Sequence, residues 1–185
     1  MRVITLALFT ITLFFTSLSA HALDGIPPNF VVGDTKLVLN GAGARTKFIL
    51  TVYNAGLYLK NKSSDADKII AGNEPMAIRM KIKSGFASKD KIKSALLDGF
   101  KKSTGGVTKP IHPQINKLMA TAFKDEISKG DIYDLVYTPG GGVQVLKNAK
   151  RMTVLRGIAF KKALFGIWLS NSPAQDSLKS DMLGK

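Results

Sequence analysis

The fold class the sequence predicts is α+β, a mainly antiparallel sheet with helices layered on one face. Strand-like and helix-like hydrophobic periods come in blocks, strands first, then helices, then strands and helices again. The strands within a block are joined by hairpin-length connections rich in glycine. No repeat, linker or low-complexity tract divides the chain.

The elements follow in order. KLVLN at 36–40 and the stretch at 47–59 read as two strands, with GAGAR between them as a glycine-rich tight turn. In the second strand Phe48, Ile49, Leu50, Val52 and Tyr53 leave neither face polar, which predicts cover on both sides. Its Asn54-Ala55-Gly56 step suggests a bulge or a close approach to the backbone. Ser64 with Asp67 suits the cap of a short helix ending at Gly72. MAIRMKIK at 76–83 alternates, with Met76, Ile78, Met80 and Ile82 inward and Arg79, Lys81 and Lys83 outward.

From Ser88 the period becomes helical. Ile92, Ala95, Leu96, Gly99 and Phe100 form one stripe, stopped by Gly105 and Gly106. Ile115, Leu118, Met119, Ala122 and Phe123 form a second stripe after Pro110 and Pro113. DIYDLVYTPGGGVQVL is a strand hairpin turned at Pro-Gly-Gly-Gly, and MTVL at 152–155 adds another strand. Phe160, Ala163, Leu164, Ile167 and Trp168, widened by Phe165, predict a deeply buried helix. Ser172, Pro173 and Gln175 read as N-cap, N1 proline and capping-box partner of a terminal helix.

The chain opens with Arg2, an uncharged run from Val3 to Leu18, and Ala20 and Ala22 at the small positions of a cleavage site. Residues 1–22 therefore read as a signal peptide, too short in its apolar run for the roughly 20 residues of a membrane span. Residues 23–185 are one domain, expected in the periplasm or secreted. Without cysteine, such a domain is held by burial rather than by disulfides.

The formal net charge of +14 falls to +13 with removal of the leader, which holds one arginine and no acid. The lysines are spread along the chain and read as solvated surface. Nucleic acid is not the expected partner, because export removes the protein from it and no aromatic-basic interleaving is present. Weak, salt-sensitive contact with anionic envelope lipid fits the charge better.

The common protic routes to catalysis find few residues. His112 is the only histidine beyond the leader, and no G-x-S-x-G elbow accompanies it. One histidine and no cysteine argue against a transition-metal site, and no cofactor is expected. Asp125 with Glu126, and Asp131 with Asp134, read as solvated surface. GAGART lacks the ending of a phosphate loop, and PGGG precedes a strand. One element remains, Arg45 beside an apolar strand that carries Tyr53 and Tyr58. A guanidinium at an oily cleft suits an amphiphilic anion, whereas the plainer reading is an arginine closing a surface hairpin.

LNGAGARTKFILTVYNAGLYL (39–59), YTPGGGVQV and FKKALFGIWLSNSPAQDSLKSDMLG (160–184) resemble the bacterial, exported branch of the chalcone isomerase-like family, over about Phe30 to Gly184. The resemblance implies an open-faced β-sandwich, a long antiparallel sheet with a helical layer on one face and a ligand cleft between them. The family divides by function: its plant enzymes cyclise chalcones to flavanones, while related members bind fatty acids or have no known activity. The enzymes of the family use an arginine for the phenolate, and a threonine, a tyrosine, an asparagine and a late serine or threonine for the ketone and water. Carried over, the arginine matches Arg45 through Gly43-Ala44-Arg45, the threonine falls at Tyr53, the tyrosine and asparagine near Ser88 and Ala95, and the late hydroxyl near Ile167. Only the arginine is kept, and the hydrogen-bond donors needed where carbonyl charge develops are not.

The leading expectation is a non-catalytic protein binding a small amphiphilic anion such as a fatty acid. Arg45 would take the head, Tyr53 and Tyr58 would line the cleft, and Phe165, Ile167 and Trp168 would cover the tail. The alternatives are an intramolecular lyase of the chalcone isomerase type acting on an unknown substrate, and a structural envelope protein without a ligand.

Overall fold

The computed structural model describes residues 23–185, so the leader expected at 1–22 lies outside the described residues. Seven strands form one antiparallel meander in chain order: β1 (Asn29–Val32), β2 (Thr35–Lys47), β3 (Leu50–Leu59), β4 (Met76–Ile82), β5 (Ile132–Thr138), β6 (Gly142–Lys147) and β7 (Lys150–Leu155). Helix α1 (Ala66–Ala71) lies between β3 and β4, and α2 (Lys89–Ser103) and α3 (His112–Thr121) between β4 and β5; α4 (Ile158–Leu169) and α5 (Asp176–Met182) follow β7. β4 and β5 still pair directly, so the long connection between them is an excursion over one face. This is the α+β layering the sequence predicts.

The alternation of β3, β4 and β5 divides the core in two. Ala55, Leu57, Ile78, Met80, Leu135 and Tyr137 pack beneath the helices. Tyr58, Ala77 and Val136 point to the opposite face, where the segment from Leu23 through β1 covers them with Ile26 and Phe30. Arg79 therefore does not face open solvent. Its Nε and Nη2 donate to the two carboxylate oxygens of Asp134 at 2.7 and 2.9 Å, and Phe30 stacks 5.0 Å from the guanidinium. Asp134, read from sequence as solvated, is buried. Asp131 is also engaged, accepting from Ser128 N, Asn148 and Lys147.

GAGAR is not a turn but the middle of the long strand β2. The turn falls at Phe48 and Ile49, and Phe48 takes the left-handed φ of 55°. The glycines serve close packing instead. A methyl on Gly41 would overlap the Asp181 carbonyl oxygen, and one on Gly43 would overlap the Asp181 carboxylate, so α5 lies directly on the β2 backbone. Cover on both faces holds from Val52 to Leu59, whereas Phe48, Ile49 and Leu50 are exposed because they form the hairpin tip. At Asn54-Ala55-Gly56 the pairing is regular, and what approaches is Ile26, packed against Gly56.

Two caps also differ from the sequence reading. Asp65, not Ser64, caps α1, accepting from the Lys68 amide. Ser172 caps no helix, because α5 begins at Asp176 and the Gln175 side chain is engaged elsewhere.

Candidate functional site

α2 and α4 cross over the sheet at small residues. A Cβ on Gly99 would sit 2.7 Å from Ile167, and Ser103 donates to the Ala163 carbonyl at 2.8 Å. Between these helices and the sheet lies a cavity of about 370 Å³. Its floor is Val52, Tyr53, Met80, Ile82 and Tyr133; its cover is Ile92, Ala95, Leu96 and Gly99 from α2 with Ile167 and Trp168 from α4. This size lies within the range of small-molecule sites, as does a mainly apolar lining with a few convergent polar groups.

Those polar groups gather at the rim. Arg45, Lys47, Lys91 and Lys102 face the cavity against one carboxylate, Asp98, so the charged lining is net positive. Arg45 is held in place from one side. Its Nη1 donates to the Thr46 carbonyl at 2.6 Å and to Gln175 Oε1 at 2.9 Å, while Gln175 Nε2 donates to the Ala44 carbonyl at 3.2 Å. Its Nε and Nη2 make no hydrogen bond among the described residues. A guanidinium fixed through one nitrogen with the other two open matches the fork that takes a carboxylate.

Deeper in, Trp168 Nε1 donates to the Tyr53 hydroxyl at 3.0 Å. Both residues are buried, so the bond satisfies the polar atoms of two otherwise apolar walls. Burial pushes the Tyr53 pKa up, opposed by the Trp168 hydrogen bond and the Arg45 charge, which keeps the hydroxyl neutral.

Of the six residues expected at the site, the structure brings Arg45, Tyr53, Ile167 and Trp168 to one cavity. Tyr58 and Phe165 are not part of it. Tyr58 stands five residues from Tyr53, so the pleat turns it to the other face, where its hydroxyl donates to the Pro27 carbonyl at 2.8 Å. Phe165 points from α4 toward Lys161, whose Nζ lies 5.9 Å from its ring centroid.

Lys161 is a further departure from the solvated-lysine reading. It is fully buried, and its ammonium donates to the carbonyls of Ile69, Ile70 and Gly72 at 2.8 Å each, capping the end of α1. Burial, with a smaller effect of Lys162, lowers its pKa to about 8. Sequence reading also missed Gln175 and the lysines of the rim. The helical spacing of Lys91 and Lys102 around the α2 apolar stripe was the available signal, while nothing local ties Gln175 to Arg45.

The sheet, the one-sided helical layer and the cleft between them define an open-faced, single-sheet α+β domain. A family profile described as chalcone isomerase-like matches residues 22–184, and the chain belongs to that family. Among solved structures it is similar to the crystal structure of an Arabidopsis thaliana fatty-acid binding protein, with a TM-score of 0.66 and 16% identity over 85% of this chain and 90% of that one. A search of curated proteins finds no match.

Proposed function

We propose that this protein binds a single-chain amphiphilic anion, with a fatty acid as the leading ligand class, and does no chemistry on it. The observation that carries the reading is the half-free Arg45 guanidinium at the rim of a mainly apolar cavity. The carboxylate would sit on Arg45 Nε and Nη2, and the chain would run inward past Tyr53, Ile167 and Trp168. The name of the similar Arabidopsis protein agrees with that ligand class.

The non-catalytic part rests on the residues at the cavity wall. Of the positions carried over from the enzymes of the family, Ala95 and Ile167 present no side-chain hydrogen-bond donor, Ser88 does not line the cavity, and the Tyr53 hydroxyl, which accepts from Trp168, has only its own hydrogen to donate. An open volume of this size favours a ligand over the structural, ligand-free alternative. A periplasmic or secreted location is part of the proposal and rests on the leader pattern alone.

Organic extraction of protein purified from its native source, followed by mass spectrometry, tests the reading. Wild type should release a stoichiometric fatty acid or related anion, and Arg45→Ala much less. Equal recovery from both would remove the role given to Arg45.

A further inference from the structure

We infer that the β2–β3 hairpin tip docks this protein on an anionic lipid bilayer. Phe48 is 86% exposed and Ile49 97%, with Leu50 beside them at 46%. Three adjacent large apolar side chains at a hairpin end are not the scattered exposure normal for a surface. Phe48 holds this presentation at a left-handed φ of 55°, a conformation uncommon for a residue with a bulky side chain.

The charge around the tip selects the partner. Lys47 immediately precedes it, and the Lys47 and Lys91 ammonium groups lie 5.7 and 3.6 Å from the centroid of the Phe86 ring. With Arg45 and Lys102 they make the positive rim described above, where Asp98 is the one carboxylate. Aromatic and aliphatic side chains flanked by cations fit a surface with an oily interior and a negative headgroup layer. A neutral bilayer lacks the second feature. Arg45 and Lys47 belong both to this rim and to the strand leading into the tip, so docking here would bring the cavity mouth to the membrane. Exposure and charge alone define this surface, and the cavity adds only a reason for its position.

Co-sedimentation with phosphatidylglycerol–phosphatidylcholine vesicles and with phosphatidylcholine vesicles tests the inference, with intact mass recorded so that all proteins compared share one N-terminus. Wild type should bind the anionic vesicles, lose binding as salt rises, and ignore the neutral ones. Phe48→Ser with Ile49→Ser should reduce partitioning about tenfold or more, and Lys47→Glu with Lys91→Glu should do the same. The chain has no cysteine, so Ile49→Cys carries a single environment-sensitive dye, whose emission should shift to the blue on anionic vesicles. Unchanged partitioning of the serine variant, or a silent dye on vesicles that bind the protein, would overturn the inference. Wild-type self-association dispersed by the serine variant, without vesicle binding, would assign the tip to a second copy instead. Fatty-acid release and vesicle binding are separate readouts, so either reading can fail alone.

Discussion

Trp168 Nε1 and the Tyr53 hydroxyl meet at 3.0 Å inside the apolar wall of the cavity, tying α4 to β3. Trp168→Phe leaves the buried Tyr53 hydroxyl without its donor, and Tyr53→Phe leaves the indole N–H without its acceptor. Each is expected to lower stability by about 1–3 kcal/mol in urea denaturation. The double variant Tyr53→Phe, Trp168→Phe should lose less than the sum of the two, because the second change removes a group already orphaned.

Asp134 and Arg79 form a two-pronged pair on the face away from the helices. Asp134→Ala would leave the partly buried guanidinium uncompensated and should destabilise by about 3 kcal/mol. Arg79→Met with Asp134→Leu should recover most of that loss, and thermal melting of the three proteins checks the order.

Gly41 lets α5 sit on β2. Gly41→Ala pushes a methyl into the Asp181 backbone, which cannot retreat as a side-chain tip would, and a loss of about 1–3 kcal/mol is expected. Gly105→Ala, with open space around it but a φ of 58°, should lose less, and the comparison separates contact from backbone strain.

Lys161 gives the protein an alkaline dependence. Its folded pKa is lowered to about 8, below the unfolded lysine value, so between those two pH values the unfolded chain binds more protons than the folded one. The stability difference between wild type and Lys161→Met should therefore move in favour of wild type as pH rises above 8, by at most about 1.4 kcal/mol per pH unit. Urea titrations at pH 7, 8.5 and 9.5 read it. A difference that is flat with pH would show that the three carbonyl acceptors hold the lysine charged throughout that range.

The elements with a clean period were legible in the sequence. MAIRMKIK and the stripe from Ile92 to Phe100 sit where their spacing places them, because burial on one face writes itself into local order. What was not legible depends on partners far along the chain. Strand glycines at Gly41 and Gly43 look like turn glycines until α5 is known to rest on them. Lys161 sits within an apolar helix, but its acceptors are backbone carbonyls, which no side-chain pattern reveals. Asp134 read as surface because its partner Arg79 and the Leu23-to-β1 segment that covers that face, with Phe30 on the guanidinium, lie far along the chain from it. At the site, Arg45, Tyr53, Ile167 and Trp168 were legible, whereas the opposite facing of Tyr58 follows from its odd separation from Tyr53.

Trp168 is the only tryptophan of the chain and lines the cavity, so its emission reports on occupancy directly. Delipidated protein titrated with dodecanoate should show one saturable change, weakened about tenfold by Arg45→Ala through loss of a charge-assisted contact. Dodecan-1-ol, which has the same chain and no charge, should bind the two proteins alike and more weakly than dodecanoate binds wild type. No response of Trp168 emission to dodecanoate, or identical curves for acid and alcohol in both proteins, would contradict an anion held by Arg45 at the mouth of an apolar cavity.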